Sequence, residues 1–220
     1  VQTCALPIFG TWKSARILFG SDLQAGVLGL GTEAPHGSEF QYNNASSQVL
    51  VMVLERATGK RYAQYLSERV WQRLGAGDAG LWMDRVGGQP RGFCCLFATA
   101  RDWLRVGRLI LHHGRVGDEA VLPAAWIDAM TTPSPRNPNF GMQVWLGSPP
   151  AKERPYNRHT IKAFHSAPFA AQDIIYLDGF GGQRVYIVPS LELVIVRTGV
   201  SATDFDDAIL PNAIIGAVRR

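Results

Sequence analysis

Apolar residues recur at helical spacing in several segments between residues 12 and 130, which a loop at 31–44 and an irregular stretch at 76–98 separate. Between residues 61 and 73 they fall on one stripe, and Gly75 follows at a position where helices often end. Thr99, with Asp102 three residues later, resembles a capping box and predicts the start of another helix. The pattern predicts one or two short helices within 12–29, and further helices over about 45–57, 61–73, 99–113 and 123–130.

The last third of the chain has a strand pattern instead. Three β-branched runs, QDIIYLD, QRVYIVP and ELVIVRT, occupy residues 172–178, 183–189 and 192–198. The turn signals between them are short, which favours antiparallel pairing. FGMQVWL at 140–146 is compatible with a further strand, and a closing helix is predicted over 205–218, which Pro211 should break or restart.

This order of elements predicts an α+β fold in which helices and strands are segregated along the chain. A helical region is followed by an antiparallel three-stranded meander and a C-terminal helix. We assign residues 9–135 to the mainly helical region and residues 136–220 to the sheet region with its closing helix. The length of 220 residues suits one generous domain or two small ones.

Composition and charge narrow the classes of function. Hydrophobic residues make up 46% of the chain and charged residues 18%, as in ordinary globular proteins. The net charge is +4, but the basic residues are scattered, so we expect no nucleic-acid partner. The longest apolar runs, such as residues 49–54, are far too short to cross a bilayer, so we expect no membrane span. No signal-peptide pattern opens the printed sequence, and the compartment stays open.

The first eight residues, VQTCALPI, look foreign to the rest of the chain. They resemble the translation of a widely used sequencing-adapter oligonucleotide, so we expect residues 1–8, including Cys4, to be an artefact. The protein's own sequence would then start near Phe9, as a fragment of a longer chain. Cys94 and Cys95 are adjacent, and neighbouring cysteines rarely pair or share a metal, so two buried thiols are expected.

Two stretches could carry chemistry. Tyr42, Asn43 and Asn44 stand directly before the predicted 45–57 helix, and the sequence LDGFGGQ, residues 177–183, lies between two predicted strands. Each has an ordinary explanation as well. An asparagine is a common helix cap, and a glycine cluster is a common hairpin turn.

Taken together and in this order, the motifs resemble the serine β-lactamase-like hydrolases. That family includes class C β-lactamases, DD-peptidases, family VIII esterases and 6-aminohexanoate-dimer hydrolases. The resemblance runs from Trp12 to the C-terminus and is strongest at residues 35–75, 93–114 and 176–199. It implies an incomplete β-lactamase/DD-peptidase-like fold, a small-molecule ester or amide substrate, and neither cofactor nor metal.

Members of that family carry three motifs: Ser-x-x-Lys, Tyr-x-Asn and a Lys-Thr-Gly-type triplet. Tyr42 and Asn44 match the second motif, and Asp178-Gly179 matches the third loosely. A tyrosine phenol has a pKa near 10, which a neighbouring lysine lowers, so the resemblance implies that Tyr42 moves protons.

The resemblance also implies roles for the other matched positions. The amide of Asn44 would hydrogen-bond the lysine and a substrate carbonyl. The backbone N–H of Phe180 would stabilise the oxyanion, together with that of the serine. Gly179 and Gly182 would let the backbone approach the substrate, beside Asp178. We therefore expect Tyr42, Asn44 and the 178–183 turn to face one another across a groove.

The sequence departs from the family pattern in two respects. No serine has a lysine three residues later; the pair Ser148 and Lys152 is one residue too far apart. The nucleophile is therefore expected upstream, outside this chain. β-Lactamases also place Lys or His where this chain has Leu177, to hold the substrate carboxylate, and this difference favours ester or amide substrates.

Three interpretations remain open. The first is a fragment of a hydrolase with a Ser-Lys-Tyr mechanism, inactive by itself. The second is a non-catalytic binding relative of the same fold, which lost the nucleophile. The third is a plain α+β domain in which Tyr-x-Asn occurs by chance. Finding Ser-x-x-Lys upstream would separate the first two, and a large distance between Tyr42 and Phe180 would favour the third.

Overall fold

The computed structural model of the chain describes residues 12–32, 34–151, 154, 156, 163–202 and 204–220. The expected foreign stretch, residues 1–8 with Cys4, and the start near Phe9 lie outside these described residues.

Helices are the main regular elements of residues 12–130, as the pattern predicts. The predicted helix over 61–73 changes type along its length: after an α-helical segment it continues as a π-helical turn, Ser67–Trp71, and a 3₁₀ turn, Gln72–Leu74. The α-helices are α1 (Trp12–Phe19), α2 (Leu23–Leu28), α3 (Asn44–Thr58), α4 (Tyr62–Leu66), α5 (Ala100–Leu111), α6 (Ala124–Met130) and α7 (Ile209–Val218).

The ends of α3 and α5 follow from local chemistry. Asn43 caps α3, because its side-chain oxygen accepts a hydrogen bond from the Ala45 N–H at 2.7 Å. Gly59 ends α3 in the left-handed conformation, with φ 66°. At α5 the hydroxyl of Thr99 accepts a hydrogen bond from the Asp102 N–H at 3.2 Å, which confirms the predicted cap.

The strands form two short hairpins and one larger sheet. The larger sheet has four antiparallel strands in the order β5–β6–β7–β8, so the predicted three-stranded meander is wrong in strand number. The additional strand of this sheet, Trp145–Leu146, is only two residues long, so few residues mark it as a strand in the sequence. It falls within the 140–146 segment that is compatible with a strand. The strands are β1 (Gly80–Leu81), β2 (Leu96–Phe97), β3 (Arg115–Val116), β4 (Glu119–Ala120), β5 (Trp145–Leu146), β6 (Ile175–Gly179), β7 (Gln183–Val188) and β8 (Leu193–Arg197).

The four-stranded sheet is covered on both faces. Tyr176 and Tyr186 are cross-strand partners and pack, with Ile215 of α7, in one apolar cluster. Val185 is adjacent to Tyr186 in β7 and so faces the opposite side of the sheet, where it packs in a second cluster with Trp103 of α5. Because both faces are covered, every residue of β7 is buried. The core therefore lies between α7, the sheet and α5.

The closing helix differs from its predicted extent. The pattern predicts a helix over 205–218 that Pro211 breaks, whereas α7 begins at Ile209 and continues through Pro211 without interruption. Proline is tolerated there because the N–H groups of the first helical turn have no intrahelical acceptor. Asp207, just before α7, contacts Arg184 and Tyr186 of the sheet.

The expectation of two buried thiols is wrong in one respect. Cys94 and Cys95 are buried, with exposed fractions of 2% and 0%, but they are joined by a disulfide. The chain turns sharply here, since Cys95 has a left-handed φ of 70°. This turn brings the two neighbouring side chains together, which spacing along the sequence does not reveal.

Two glycines on different helices give a test of this packing. A Cβ at Gly107 of α5 would lie 2.5 Å from Val194 Cγ1 and 2.9 Å from Val185 Cγ1, whereas a Cβ at Gly216 of α7 would have no atom within 4 Å. We expect Gly107→Ala to lower the free energy of unfolding by about 1–3 kcal/mol through overpacking. Gly216→Ala should raise it by roughly 0.5–1 kcal/mol, because alanine favours the helix. Urea unfolding measures both; changes of the same sign would contradict this packing.

Candidate active site

Tyr42 lies just before α3 and is anchored at both its backbone and its ring. Its N–H donates a hydrogen bond to the Tyr156 carbonyl at 2.9 Å. Its half-buried ring packs against three aromatic rings, with centroid distances of 5.6 Å to Phe140, 5.7 Å to Trp145 and 5.6 Å to Tyr156. The ring therefore occupies a defined position on the aromatic cluster that covers one face of the sheet.

The two asparagines after Tyr42 have different roles. Asn43 caps α3, whereas the side-chain oxygen of Asn44 is buried and accepts no hydrogen bond from the described residues. One turn further along α3, the fully buried Gln48 binds the Pro90 carbonyl at 3.0 Å and the Gly92 N–H at 2.9 Å. Gln48 thus fixes the buried face of α3, while the amide oxygen of Asn44 is left for another donor.

The 178–183 stretch is a tight turn that joins β6 to β7. Gly181 and Gly182 have left-handed φ angles of 66° and 78°. A Cβ on Gly181 would lie 2.4 Å from the Ser201 hydroxyl, and one on Gly182 would lie 2.8 Å from the Phe205 ring. Both glycines are therefore required by close contacts within the protein.

The turn and the start of α3 have common neighbours. Phe180 and Ala45, the residue after Asn44, pack against the same apolar cluster, which contains the Cys94–Cys95 disulfide. From the other side, Tyr156 contacts the Tyr42 ring and donates its hydroxyl hydrogen to Asp178 Oδ2 at 2.5 Å. Tyr42 is thus connected to Asp178 through Tyr156, and Ala45 shares an apolar cluster with Phe180.

Asp178 belongs to a buried charge cluster of two arginines and two aspartates. Arg154 binds Asp178 Oδ2 at 2.7 Å and Asp207 Oδ2 at 2.6 Å. Arg184 binds the other oxygen of each, Asp178 Oδ1 at 2.5 Å and Asp207 Oδ1 at 2.7 Å. Each of the four side chains is 5% exposed or less. The four formal charges sum to zero and are paired in a closed ring, hereafter the charge cluster.

The charge cluster keeps Asp178 ionised. Burial by itself would raise the pKa of Asp178, but Arg184 and Arg154 beside it, with the hydrogen bond from Tyr156, hold that pKa below its usual range. Burial alone would lower the pKa of Arg184, which the two aspartates raise above its ordinary value. The carboxylate of Asp178 is thus fully engaged by protein groups, and its backbone is the part that leads into the turn.

Sequence reasoning missed three members of the charge cluster and Tyr156. Arg184 had a usable signal, because pairing across the 179–183 turn places it opposite Asp178 in the strand register. Arg154 and Asp207 had none, since they are 53 positions apart and meet only in the folded chain. Tyr156 stands in a polar segment whose composition indicates a loop.

Other features of the described residues lie outside this site. A cavity of about 430 Å³ lies beside α2 and the 84–89 loop, and none of the predicted site residues lines it. Within the described part of the chain, no group of three or more His, Cys, Asp or Glu side chains is placed to hold a metal. No described helix is both long and apolar enough to span a bilayer.

Comparisons with known proteins agree on one family. The family model described as Beta-lactamase matches residues 12–213. The 6-aminohexanoate-dimer hydrolase of Paenarthrobacter ureafaciens is 38% identical over 94 residues, which is 42% of this chain and 24% of that protein. This chain is therefore similar to only part of that relative.

Solved structures show the same likeness. A candidate 6-aminohexanoate-dimer hydrolase from Bacillus anthracis matches with a TM-score of 0.64 and 25% identity, over 88% of this chain and 46% of that one. A beta-lactamase from Mycobacterium bovis matches in fold with a TM-score of 0.60 and 20% identity, over 84% of this chain and 65% of that one. The chain spans about half to two thirds of these structures.

Removing one cation from the charge cluster should be costly. In Arg154→Met the two aspartates keep only Arg184, so we expect a loss of about 3–5 kcal/mol in the free energy of unfolding. The matched control is Arg73→Met, because the Arg73–Glu119 pair is partly exposed and should cost less than about 1 kcal/mol. Equal losses in urea unfolding would contradict a structural role for the cluster.

The charge cluster also predicts an acid limit to stability. The folded-state pKa of Asp178 lies below the unfolded value of about 3.9, so its contribution is present above that pH. The contribution is lost as pH falls through the folded pKa. We expect the free energy of unfolding to fall as the pH drops below about 4, and to fall less steeply in Asp178→Asn. Equal slopes for the two proteins would contradict this assignment.

Proposed function

Because the chain belongs to the beta-lactamase family, we propose that it is part of a serine hydrolase that cleaves ester or amide bonds through an acyl-enzyme. The observation that carries the proposal is the bridge made by Tyr156. This one residue binds the backbone of Tyr42 and the carboxylate of Asp178, and so joins the Tyr-x-Asn motif to the residue before the glycine turn.

The chemistry requires three kinds of group around one carbonyl. A serine hydroxyl attacks the carbonyl carbon and must lose its proton, which Tyr42 would accept and pass to the leaving alcohol or amine. The Phe180 N–H would donate to the oxyanion as it forms. Water then attacks the acyl-serine, Tyr42 would pass a proton from this water to the serine oxygen, and the acid product leaves.

Asn44 fits the role of holding a positively charged partner. Its side-chain oxygen is buried and accepts no hydrogen bond from the described residues, and a lysine ammonium is a suitable donor. The lysine of a Ser-x-x-Lys motif would satisfy this oxygen and favour the phenolate of Tyr42.

We place the nucleophile outside these 220 residues, because no serine in the sequence has lysine three positions later. The outer face of α3 supports an additional packing partner. Val49, Leu50 and Val53 lie on one stripe of this helix and are 39%, 59% and 57% exposed. This apolar stripe lies on the face of α3 opposite Gln48 and Val51, and is a surface on which a further element can pack.

The position that holds a substrate carboxylate in β-lactamases carries no cation in this chain. Leu177 packs with the α5 cluster and offers no charge to a substrate carboxylate. The two buried cations of the charge cluster, Arg154 and Arg184, are already paired with aspartates. The relative from Paenarthrobacter ureafaciens is named as a 6-aminohexanoate-dimer hydrolase. A linear amide or ester therefore fits better than a β-lactam. The alternative is a non-catalytic binding relative of the same fold.

The first prediction of this proposal concerns the 220-residue chain itself. We expect no hydrolysis of p-nitrophenyl esters or anilides above background, and no adduct with a fluorophosphonate probe, because the activated serine is absent. Intact-protein mass spectrometry after probe treatment is the measurement. An adduct at any serine of this chain would overturn the placement of the nucleophile.

The second prediction concerns a longer product of the same gene. If its upstream sequence contains Ser-x-x-Lys, it should hydrolyse esters or amides, and Tyr42→Phe should lower kcat by roughly 10²–10⁴-fold. Tyr65→Phe on α4 is the matched control and should leave kcat unchanged. An upstream sequence without Ser-x-x-Lys, in a product that still binds ester or amide analogues, would favour the binding relative instead.

A further inference from the structure

We propose that the charge cluster is a positioning device, in which Arg184 orients the Phe180 N–H and Tyr156 ties that orientation to the position of Tyr42. This inference rests on the proposed function, which makes the Phe180 N–H an oxyanion donor. It adds two positioning residues that touch neither substrate nor reacting atoms.

The peptide bond between Gly179 and Phe180 is oriented by Arg184. Arg184 Nη1 donates a hydrogen bond to the Gly179 carbonyl at 2.8 Å. A trans peptide is planar, so its C=O and N–H point in opposite directions. Because the carbonyl of Gly179 points at the buried guanidinium, the N–H of Phe180 points away from the charge cluster. Arg184 thereby sets the direction of the proposed oxyanion donor.

Further carbonyls of the turn are also bound by arginines. The same Arg184 nitrogen also donates to the Gln183 carbonyl at 2.9 Å, so one guanidinium holds both ends of the turn. Arg197 Nη1 donates to the carbonyls of Gly181 and Gly182 at 3.1 and 2.9 Å. Four carbonyls around the turn are thus bound by arginines. A donor held in this way needs no reorganisation when an oxyanion forms.

Two aspartates hold the guanidinium of Arg184 in place. An unpaired buried guanidinium would be very costly, whereas Asp178 and Asp207 grip it on separate nitrogens. Apolar replacements of buried ion pairs are often neutral or stabilising, so fold stability alone gives little reason for a four-charge ring. The directional hydrogen bonds from Arg184 to backbone carbonyls supply another reason, since apolar side chains cannot make them.

Tyr156 connects the charge cluster to Tyr42. Tyr156 donates its hydroxyl hydrogen to Asp178, accepts a hydrogen bond from Arg154 Nη2 at 3.2 Å, and holds the Tyr42 N–H with its carbonyl. A shift of Asp178 therefore acts on Tyr42 and on the turn together. The spacing between the proposed proton carrier and the proposed oxyanion donor depends on the same cluster.

The test measures the order of two backbone N–H bonds in the 220-residue chain by ¹⁵N relaxation. Arg184→Lys keeps the charge but loses the planar fork that binds two carbonyls and two carboxylates. We expect the order parameter of the Phe180 N–H to fall from about 0.85 to below about 0.6. Arg73→Lys is the matched control, because Arg73 also binds a carboxylate and two carbonyls, all of them from residues 119–121 and none from the turn. It should leave Phe180 unchanged.

A milder variant covers the case in which Arg184→Lys does not fold. Tyr156→Phe removes only the hydroxyl, so the Tyr42 N–H should lose order while the Phe180 N–H keeps it. An unchanged Phe180 order parameter in folded Arg184→Lys would overturn the proposal. So would an unchanged Tyr42 in Tyr156→Phe, or an equal loss at every amide.

A kinetic arm separates this inference from the proposed function. In a longer gene product that turns over esters or amides, Arg184→Lys should lower kcat on the order of 10²-fold, with KM changed less than about 2-fold. An active product whose kcat is unaffected by Arg184→Lys overturns the positioning role and leaves the hydrolase assignment standing. An inactive product overturns the hydrolase assignment, and the relaxation measurements still decide whether Arg184 orients Phe180.

Discussion

Two arginines and two aspartates, paired in a buried ring, are the interaction on which the rest of the candidate site depends. Arg154 comes from the polar segment after β5, Asp178 and Arg184 from neighbouring strands, and Asp207 from the residues just before α7. Charges buried in this way are tolerated only when each is paired, so all four segments must arrive in one arrangement. The ring therefore couples the sheet to both segments that pack against its end.

The ring lies between an aromatic surface and a glycine turn. Arg154 stacks on Trp145 with its guanidinium carbon 4.2 Å from the ring centroid, and Trp145 in turn contacts Tyr42. On the other side Arg184 reaches the backbone of the turn. Aromatic packing, ion pairing and backbone hydrogen bonding are thus continuous from Tyr42 to Phe180. That continuity gives a physical reason why motifs more than a hundred residues apart in sequence can serve one site.

The scaffold explains where this site can form. Both faces of the sheet are covered, by α5 on one side and α7 on the other, so its faces offer no open surface for a ligand. The β6–β7 turn emerges at the end of the sheet, where the start of α3 also lies against the shared apolar cluster. Chemistry at this end can vary with the loops while the sheet stays packed. A chain that spans only part of its relatives can still contain this arrangement.

The sequence by itself determined the features that depend on neighbouring residues. Asn43, Gly59 and Thr99 set helix ends through contacts within four positions, and the β-branched runs predicted three of the four strands of the sheet. The order of motifs indicated the family. Only the tertiary structure decided the charge cluster, the bridge by Tyr156, the disulfide, and which two residues of the 140–146 segment pair with β6. Arg154 and Asp207 meet across 53 positions, and no local propensity encodes a contact that exists only after the sheet and α7 have packed.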